Sequence, residues 1–151
     1  FSGSVYLATE AILLYGTEEQ KKRWLPRLAS GDVIGTFAFA EGAGEPDVAS
    51  VATRFAAGKL NGTKVPVLDA ADAGLAVVVA QGARGPVLAL VDLAAKGVAR
   101  SRVGSFDPSR SVAKIVFQDA PAALWISRRI TSSRVTRWPS MTVAVMVLPS
   151  Y

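Results

Sequence analysis

The 151-residue sequence contains no cysteine and no histidine. Without cysteine there is neither a disulfide framework nor a thiolate nucleophile, and without histidine there is no imidazole base. Zinc sites in proteins are built mainly from these two residue types. The composition therefore excludes serine-triad hydrolases, cysteine proteases and conventional zinc enzymes, and we predict no metal site.

Long apolar runs are also missing, the longest being residues 75–80 and 143–148. Because a transmembrane helix needs about 20 apolar residues, we expect no membrane partner and predict a soluble, cytoplasmic chain. The first residue is Phe1 rather than methionine, and no charged leader with an apolar segment precedes Val5. We therefore expect this sequence to be an internal piece of a larger protein.

Acidic residues are absent after Asp119. Residues 1–125 carry a net charge of +1, and four arginines in the last 26 residues supply the remaining +4: Arg128, Arg129, Arg134 and Arg137. No stacking aromatics, glycine-rich phosphate cradle or recognition helix accompany them, so we expect no nucleic-acid partner. Residues 126–151 also lack glycine and lysine, and we predict that this atypical basic tail is out-of-frame or disordered sequence.

Helical patterns occupy the first 31 residues. Apolar residues recur at helical spacing between residues 5 and 15, and Gly16 stands where a left-handed residue would close this helix. Thr17 and Gln20 form a capping-box pattern that predicts the start of a second helix. Within that helix Pro26 removes an N–H and is expected to break or restart it, and Gly31 is expected to end the last turn.

After Asp32 the apolar period changes from about 3.6 to 2, which indicates strands. We predict six strands near residues 34–39, 51–56, 64–67, 75–80, 87–92 and 112–118. Because no helical pattern separates them, they favour an antiparallel barrel or sandwich over a parallel sheet. The predicted fold class is α+β, with two N-terminal helices followed by a compact antiparallel β-barrel or sandwich domain.

Three motifs follow one another along the chain: GTEEQKKRWLP at 16–26, FAFAE at 37–41 and LNGTK at 60–64. In this order and spacing the chain resembles the acyl-CoA dehydrogenase family, from about residue 6 to about residue 125. The resemblance implies a flavoprotein that holds FAD and an acyl thioester against a small β domain. It divides the chain into the end of an N-terminal helical domain at 1–31, a middle β domain at 32–125 and the atypical tail at 126–151.

The resemblance also assigns site residues. It implies that one strand lays its backbone along the flavin, here Phe37, Ala38, Phe39 and Ala40, although Ala40 lacks the hydroxyl that the family places there. A second strand then contributes an aromatic and a threonine, and Pro66, Val67 and Leu68 occupy this segment. Pro66 stands at the aromatic position and Leu68 at the threonine position. Cofactor binding by this chain alone is therefore expected to be weak.

The turn after the first of these strands is expected to meet the acyl-CoA ligand. Pro46 replaces a serine of the family pattern, and Asp47 falls at the expected spacing, so both are candidate substrate-binding residues. Glu41 and Asp47 are expected to hold the turn rather than to act as a base. The resemblance places the catalytic glutamate in a helical C-terminal domain, and no carboxylate follows Asp119, so we predict no catalytic residue in this chain.

Two function classes remain open at this level. The first is a fragment of an FAD-dependent oxidoreductase that introduces a C2–C3 double bond into acyl-CoA thioesters in fatty acid β-oxidation, inactive as this isolated chain. The second is a non-catalytic subunit that completes the flavin site of an active paralogue, with a truncated, non-functional product as a further alternative. The resemblance implies electron-transfer flavoprotein as a partner. We also expect a homo- or hetero-oligomer, because residues 75–80 and the helices would leave apolar surface exposed.

Overall fold

The computed structural model describes residues 3–104 and 111–125, so the predicted tail at 126–151 lies outside the described residues. A short π-helical segment at Gly3–Ala8 leads into helix α1 at Thr9–Tyr15, and helix α2 spans Glu18–Ser30. Ala8, Ala11 and Ile12 are buried as their spacing predicts. Trp24 and Leu28 form the buried face of α2.

The predicted capping box is present at the start of α2. The Gln20 N–H donates to the Thr17 hydroxyl at 3.2 Å, and the Thr17 N–H donates to the Gln20 side chain at 3.0 Å. Gly31 ends the helix in the left-handed conformation, with φ of 81°. This arrangement fixes both ends of α2 from local sequence alone.

Two helix predictions are wrong. Gly16 is extended, with φ −66° and ψ 149°, so it links the helices without a left-handed turn. Helix α2 also continues through Pro26. Proline removes a single intrahelical hydrogen bond, and the buried Trp24 and Leu28 on either side keep the helix packed against the sheet.

Within residues 3–104 and 111–125, eight strands follow the helices, and all six predicted strands are among them. Their bounds are β1 Gly35–Ala38, β2 Arg54–Ala56, β3 Lys59–Leu68, β4 Leu75–Gly82, β5 Gly85–Asp92, β6 Val98–Arg102, β7 Val112–Pro121 and β8 Ala123–Trp125. A single 3-10 turn at Val48–Ser50 lies between β1 and β2. Sequence reasoning missed β6 and β8, because β6 is largely exposed and carries no apolar alternation, and β8 has only three residues.

The strands form one curled, half-barrel sheet in the order β6-β7-β3-β2-β4-β5-β8, and β1 pairs with β4. The predicted α+β class, with two helices leading into a compact β domain, is confirmed. The sheet is mixed in detail: β1 and β2 each run parallel to β4, and the other pairs are antiparallel. The long connection between β1 and β4 permits this, since parallel neighbours need a crossover rather than a hairpin.

Strand β4 lies at the centre of the molecule and is buried on both faces. Leu75 and Val77 pack with the helices, whereas Ala76, Val78 and Ala80 pack in the core inside the curled sheet. The prediction that residues 75–80 expose apolar surface is therefore wrong. The continuous apolar run of β4 reflects two-sided burial rather than a missing partner.

Candidate functional site

The two segments that the sequence assigned to the flavin lie side by side. The Val65 N–H donates to the Ala40 carbonyl at 2.9 Å, and the Thr36 hydroxyl donates to the Leu68 carbonyl at 2.6 Å. These two hydrogen bonds join the β1 segment to the last residues of β3. Residues separated by more than 20 positions in sequence therefore share one continuous backbone surface.

Side chains along this surface point in two directions. Ala38 and Val67 belong to the core inside the sheet, and Val67 is only 1% exposed, so their side chains are not available to a ligand. Pro66 and Leu68 are exposed, Leu68 by 37%. At Ala38 and Val67 a bound cofactor would meet backbone atoms, and at Pro66 and Leu68 it would meet apolar side chains.

Phe37 and Phe39 are partly buried and face a separate small cluster. They pack against Val48, Val51 and Val79, which brings the segment around the 3-10 turn onto the end of β1. The two aromatic rings thus support the candidate site from behind. This packing accounts for the aromatic character of the 37–41 motif.

A shallow open depression of about 160 Å³ lies beside the end of β1, lined by residues 39–47 with Ser50 and Val51. It joins the predicted substrate residues Pro46 and Asp47, both exposed, to the predicted cofactor residues Phe39 and Ala40. Asp47 is also used locally, because its Oδ1 accepts the Ala49 N–H at 3.0 Å and caps the 3-10 turn. The candidate cofactor and substrate residues are therefore neighbours.

Glu41, which lines this depression, forms an ion pair with the buried Lys64 at 2.7 Å. Lys64 also donates to the Phe39 carbonyl at 2.9 Å, and Glu41 accepts the backbone N–H groups of Ala52 at 2.6 Å and Thr53 at 2.9 Å. Sequence analysis gave Glu41 a structural role and did not recognise Lys64 as its partner. The two charges are 23 positions apart, with Glu41 after the end of β1 and Lys64 on β3, so no local pattern pairs them.

Comparison with known proteins supports the family that the motifs suggest. The family described as "Acyl-CoA dehydrogenase, N-terminal domain" matches residues 1–32. The very long-chain specific acyl-CoA dehydrogenase of Rattus norvegicus is 35% identical over 108 residues, which are 68% of this chain and 15% of that protein. The acryloyl-CoA reductase (NADH) of Anaerotignum propionicum is 32% identical over 135 residues, 78% of this chain and 34% of that protein.

A similar fold is found in the crystal structure of a glutaryl-CoA dehydrogenase from Mycobacterium smegmatis in complex with FADH2. The TM-score is 0.72 at 30% sequence identity, and the match covers 79% of this chain and 32% of that chain. The chain belongs to the acyl-CoA dehydrogenase family. It spans between about one seventh and one third of the length of these relatives.

The groups on the joined surface of β1 and β3 decide whether it suits the flavin of this family. The joined backbone of β1 and β3 offers peptide groups along one edge, and the exposed Pro66 and Leu68 offer apolar contact. The depression is smaller than the roughly 300–1,000 Å³ of sites that enclose a drug-sized ligand. The described residues therefore fit one wall of a flavin site, through backbone contacts more than through side chains.

Residues 3–104 and 111–125 contain neither a candidate metal cluster nor a candidate membrane-spanning helix. This part of the chain has no group of three or more acidic residues arranged to hold a metal ion. Its helices are all too short or too polar to cross a bilayer.

The Glu41 carboxylate makes stability depend on pH. Partial burial raises its pKa, but hydrogen bonds from Lys64, Thr53 and Ala52 outweigh burial and lower the pKa to about 2, from 4.5. A depressed pKa stabilises the fold above pH 4.5, and this contribution is lost as the pH falls towards 2. At its upper limit the loss is about 3 kcal/mol.

We therefore expect urea unfolding to show a stability difference between wild type and Glu41→Gln that shrinks from pH 6 to pH 3. The wild type loses the carboxylate contribution over this range and the variant has none to lose. Parallel pH profiles for the two proteins would contradict this assignment.

Proposed function

We propose that this chain supplies the flavin-facing β wall of an FAD-dependent, acyl-CoA dehydrogenase-like oxidoreductase that acts on acyl-CoA thioesters. The observation that carries the proposal is the joining of the β1 and β3 segments by the Val65–Ala40 and Thr36–Leu68 hydrogen bonds. In this proposal residues 37–40 and 66–68 contact the cofactor. Pro46 and Asp47 lie on the side where the acyl-CoA would approach.

The domain division follows the same proposal. Residues 1–31 are the end of a helical domain, and residues 32–125 are the middle β domain. The chemistry is removal of hydrogen across C2–C3 of the thioester, with electrons passed on to an electron-transfer flavoprotein. The base is proposed to come from outside the described residues, because the Glu41 carboxylate is engaged with a lysine and two backbone N–H groups.

A second candidate function is a non-catalytic subunit that completes the flavin site of an active paralogue. Three residues on the proposed wall favour it. Ala40 has no hydroxyl, Pro66 has no aromatic ring and Leu68 has no hydrogen-bonding group, so the wall contributes few side-chain contacts to a cofactor. A homo- or hetero-oligomer is part of this second proposal.

Flavin retention separates the two candidates. The chain is purified alone and with a co-expressed full-length family member, FAD is added, the excess is removed and the visible absorption spectrum is recorded. Flavin bands with the chain alone are expected for the oxidoreductase wall, and bands that require the partner are expected for the subunit. Absence of bands in both samples would overturn both candidates.

Restoring one hydrogen-bonding group is expected to strengthen flavin binding. Leu68→Thr places a hydroxyl on the exposed face of β3, and a new hydrogen bond is worth about 1 kcal/mol, or roughly a fivefold lower Kd for FAD. Leu124→Thr, on strand β8 outside the proposed wall, is the control and leaves the Kd unchanged. Equal effects of the two substitutions in a fluorescence titration would count against the proposed position of Leu68.

A further inference from the structure

Lys64 is the largest fully buried side chain in the described residues, and it is charged. Its ammonium group is 0% exposed and lies on β3, behind the depression. Burial lowers its pKa, while the adjacent Glu41 carboxylate acts in the opposite direction. A buried ion pair is a costly way to fill a core, since apolar residues of similar volume often serve stability as well or better. Packing alone therefore does not explain Lys64.

The hydrogen bonds of the pair converge on the segment 39–53. At its start, Lys64 binds the Phe39 carbonyl and the Glu41 carboxylate. At its end, the same carboxylate binds the N–H groups of Ala52 and Thr53, with one oxygen serving each. Both ends of the segment are thus connected to one ammonium group.

The middle of this segment has little internal support. Residues 42–47 are all exposed and include Gly42, Gly44 and Pro46. These residues line the depression. The Glu41–Lys64 pair thus fixes the two ends of the depression wall, and buried Val48 and Val51 hold the 3-10 turn between them against Val79.

We propose that Lys64 is a positioning residue that acts through Glu41 to hold segment 39–53 in a preformed shape for the ligand of the depression. That this ligand is FAD with an acyl thioester rests on the proposed function, whereas the ordering of the segment does not. Preorganisation of this kind lowers the cost of ordering the segment when a ligand binds. Lys64 thus contributes to ligand binding through Glu41, without contacting the ligand itself.

The decisive variant replaces both charges at once. Lys64→Met/Glu41→Leu removes the ion pair and leaves no unpaired buried charge, so we expect the protein to fold, with a lower Tm because two N–H groups and the Phe39 carbonyl lose their partners. Amide hydrogen exchange at Ala52 and Thr53 is expected to become at least about tenfold faster, because both N–H groups lose their carboxylate acceptor. The amides of Val78 and Ala89 in the core strands stay protected, which separates local from global opening.

Lys59→Met is the matched control, since Lys59 is an exposed lysine on the same strand. We expect it to change neither the exchange rates nor the affinity for FAD. With the double variant, the Kd for FAD is expected to rise about tenfold. Should the double variant fail to fold, the same exchange measurement on Lys64→Met decides the outcome, because the Glu41 carboxylate that stays behind is partly exposed to water.

Two results would overturn the inference. One is a double variant with wild-type exchange at Ala52 and Thr53, which would show that the pair does not order the segment. The other is faster exchange of the segment together with unchanged FAD affinity. A wild-type chain that does not bind FAD would instead contradict the proposed function, and the exchange rates of the apo protein would still test the ordering by Lys64.

Discussion

Replacing Gly62 with alanine is expected to destabilise the fold by about 2–4 kcal/mol, a large part of the stability of a typical domain. An added Cβ would lie 2.6 Å from the Thr53 Oγ1 and 2.7 Å from the Thr53 Cα. Because the Cα is a backbone atom, rotation of the Thr53 side chain cannot relieve this second contact. The φ of Gly62 is also +144°, a conformation that alanine rarely adopts. Because Thr53 donates to Glu41, the clash would also displace segment 39–53.

Chemical denaturation of wild type and variant measures this loss directly. The control is Gly58→Ala in the preceding hairpin, where φ is +74° but nothing lies within 4 Å of the added Cβ. Gly58→Ala carries the backbone strain without the clash and is expected to cost about 1 kcal/mol. If both variants lost the same free energy of unfolding, the close approach of Gly62 to Thr53 would not contribute to the loss.

Truncating Phe117 to alanine is expected to cost about 3–5 kcal/mol. Phe117 is 2% exposed, lies inside the curled sheet and pairs with Gly62 across β3 and β7. The lost burial is compounded by a cavity that the surrounding strands cannot fill. Phe117 on β7 pairs with Gly62 on β3 and with Val98 on β6. Its truncation is therefore expected to weaken the packing of all three strands together.

Thermal or urea unfolding provides the measurement for Phe117→Ala. Leu13→Ala on α1 is the control, because Leu13 is 54% exposed and its truncation removes little buried area. We expect the control to change stability by less than about 0.5 kcal/mol. A similar small effect for Phe117→Ala would show that the sheet interior is not a packed core.

Local signals predicted the secondary structure well. The capping box at Thr17 and the left-handed Gly31 each depend on a few neighbouring residues, and both are confirmed. Gly16 and Pro26 were predicted wrongly, because tertiary packing decided between conformations that the local sequence permits. The same holds for β4: an apolar run shows burial, but only the sheet order shows that both faces are covered.

The closeness of the two candidate segments was predictable from the sequence, whereas the bonds beside them were not. Motif order placed residues 37–40 and 66–68 in one site, and the structure puts these segments side by side. Lys64 was part of the LNGTK motif, yet its partner Glu41 lies outside that motif, after the end of β1, and its burial depends on the curl of the sheet. A lysine within an otherwise apolar strand pattern is the one signal that could have drawn attention to it.

The proposed function requires the joined surface of β1 and β3 to face the flavin. The most direct test is a titration of the isotopically labelled full chain with FAD, followed through backbone amide chemical shifts. We predict saturable shifts that concentrate at residues 37–41 and 65–68 and leave helix α2 unchanged. Shifts confined to other surfaces, or none at millimolar FAD, would contradict the claim.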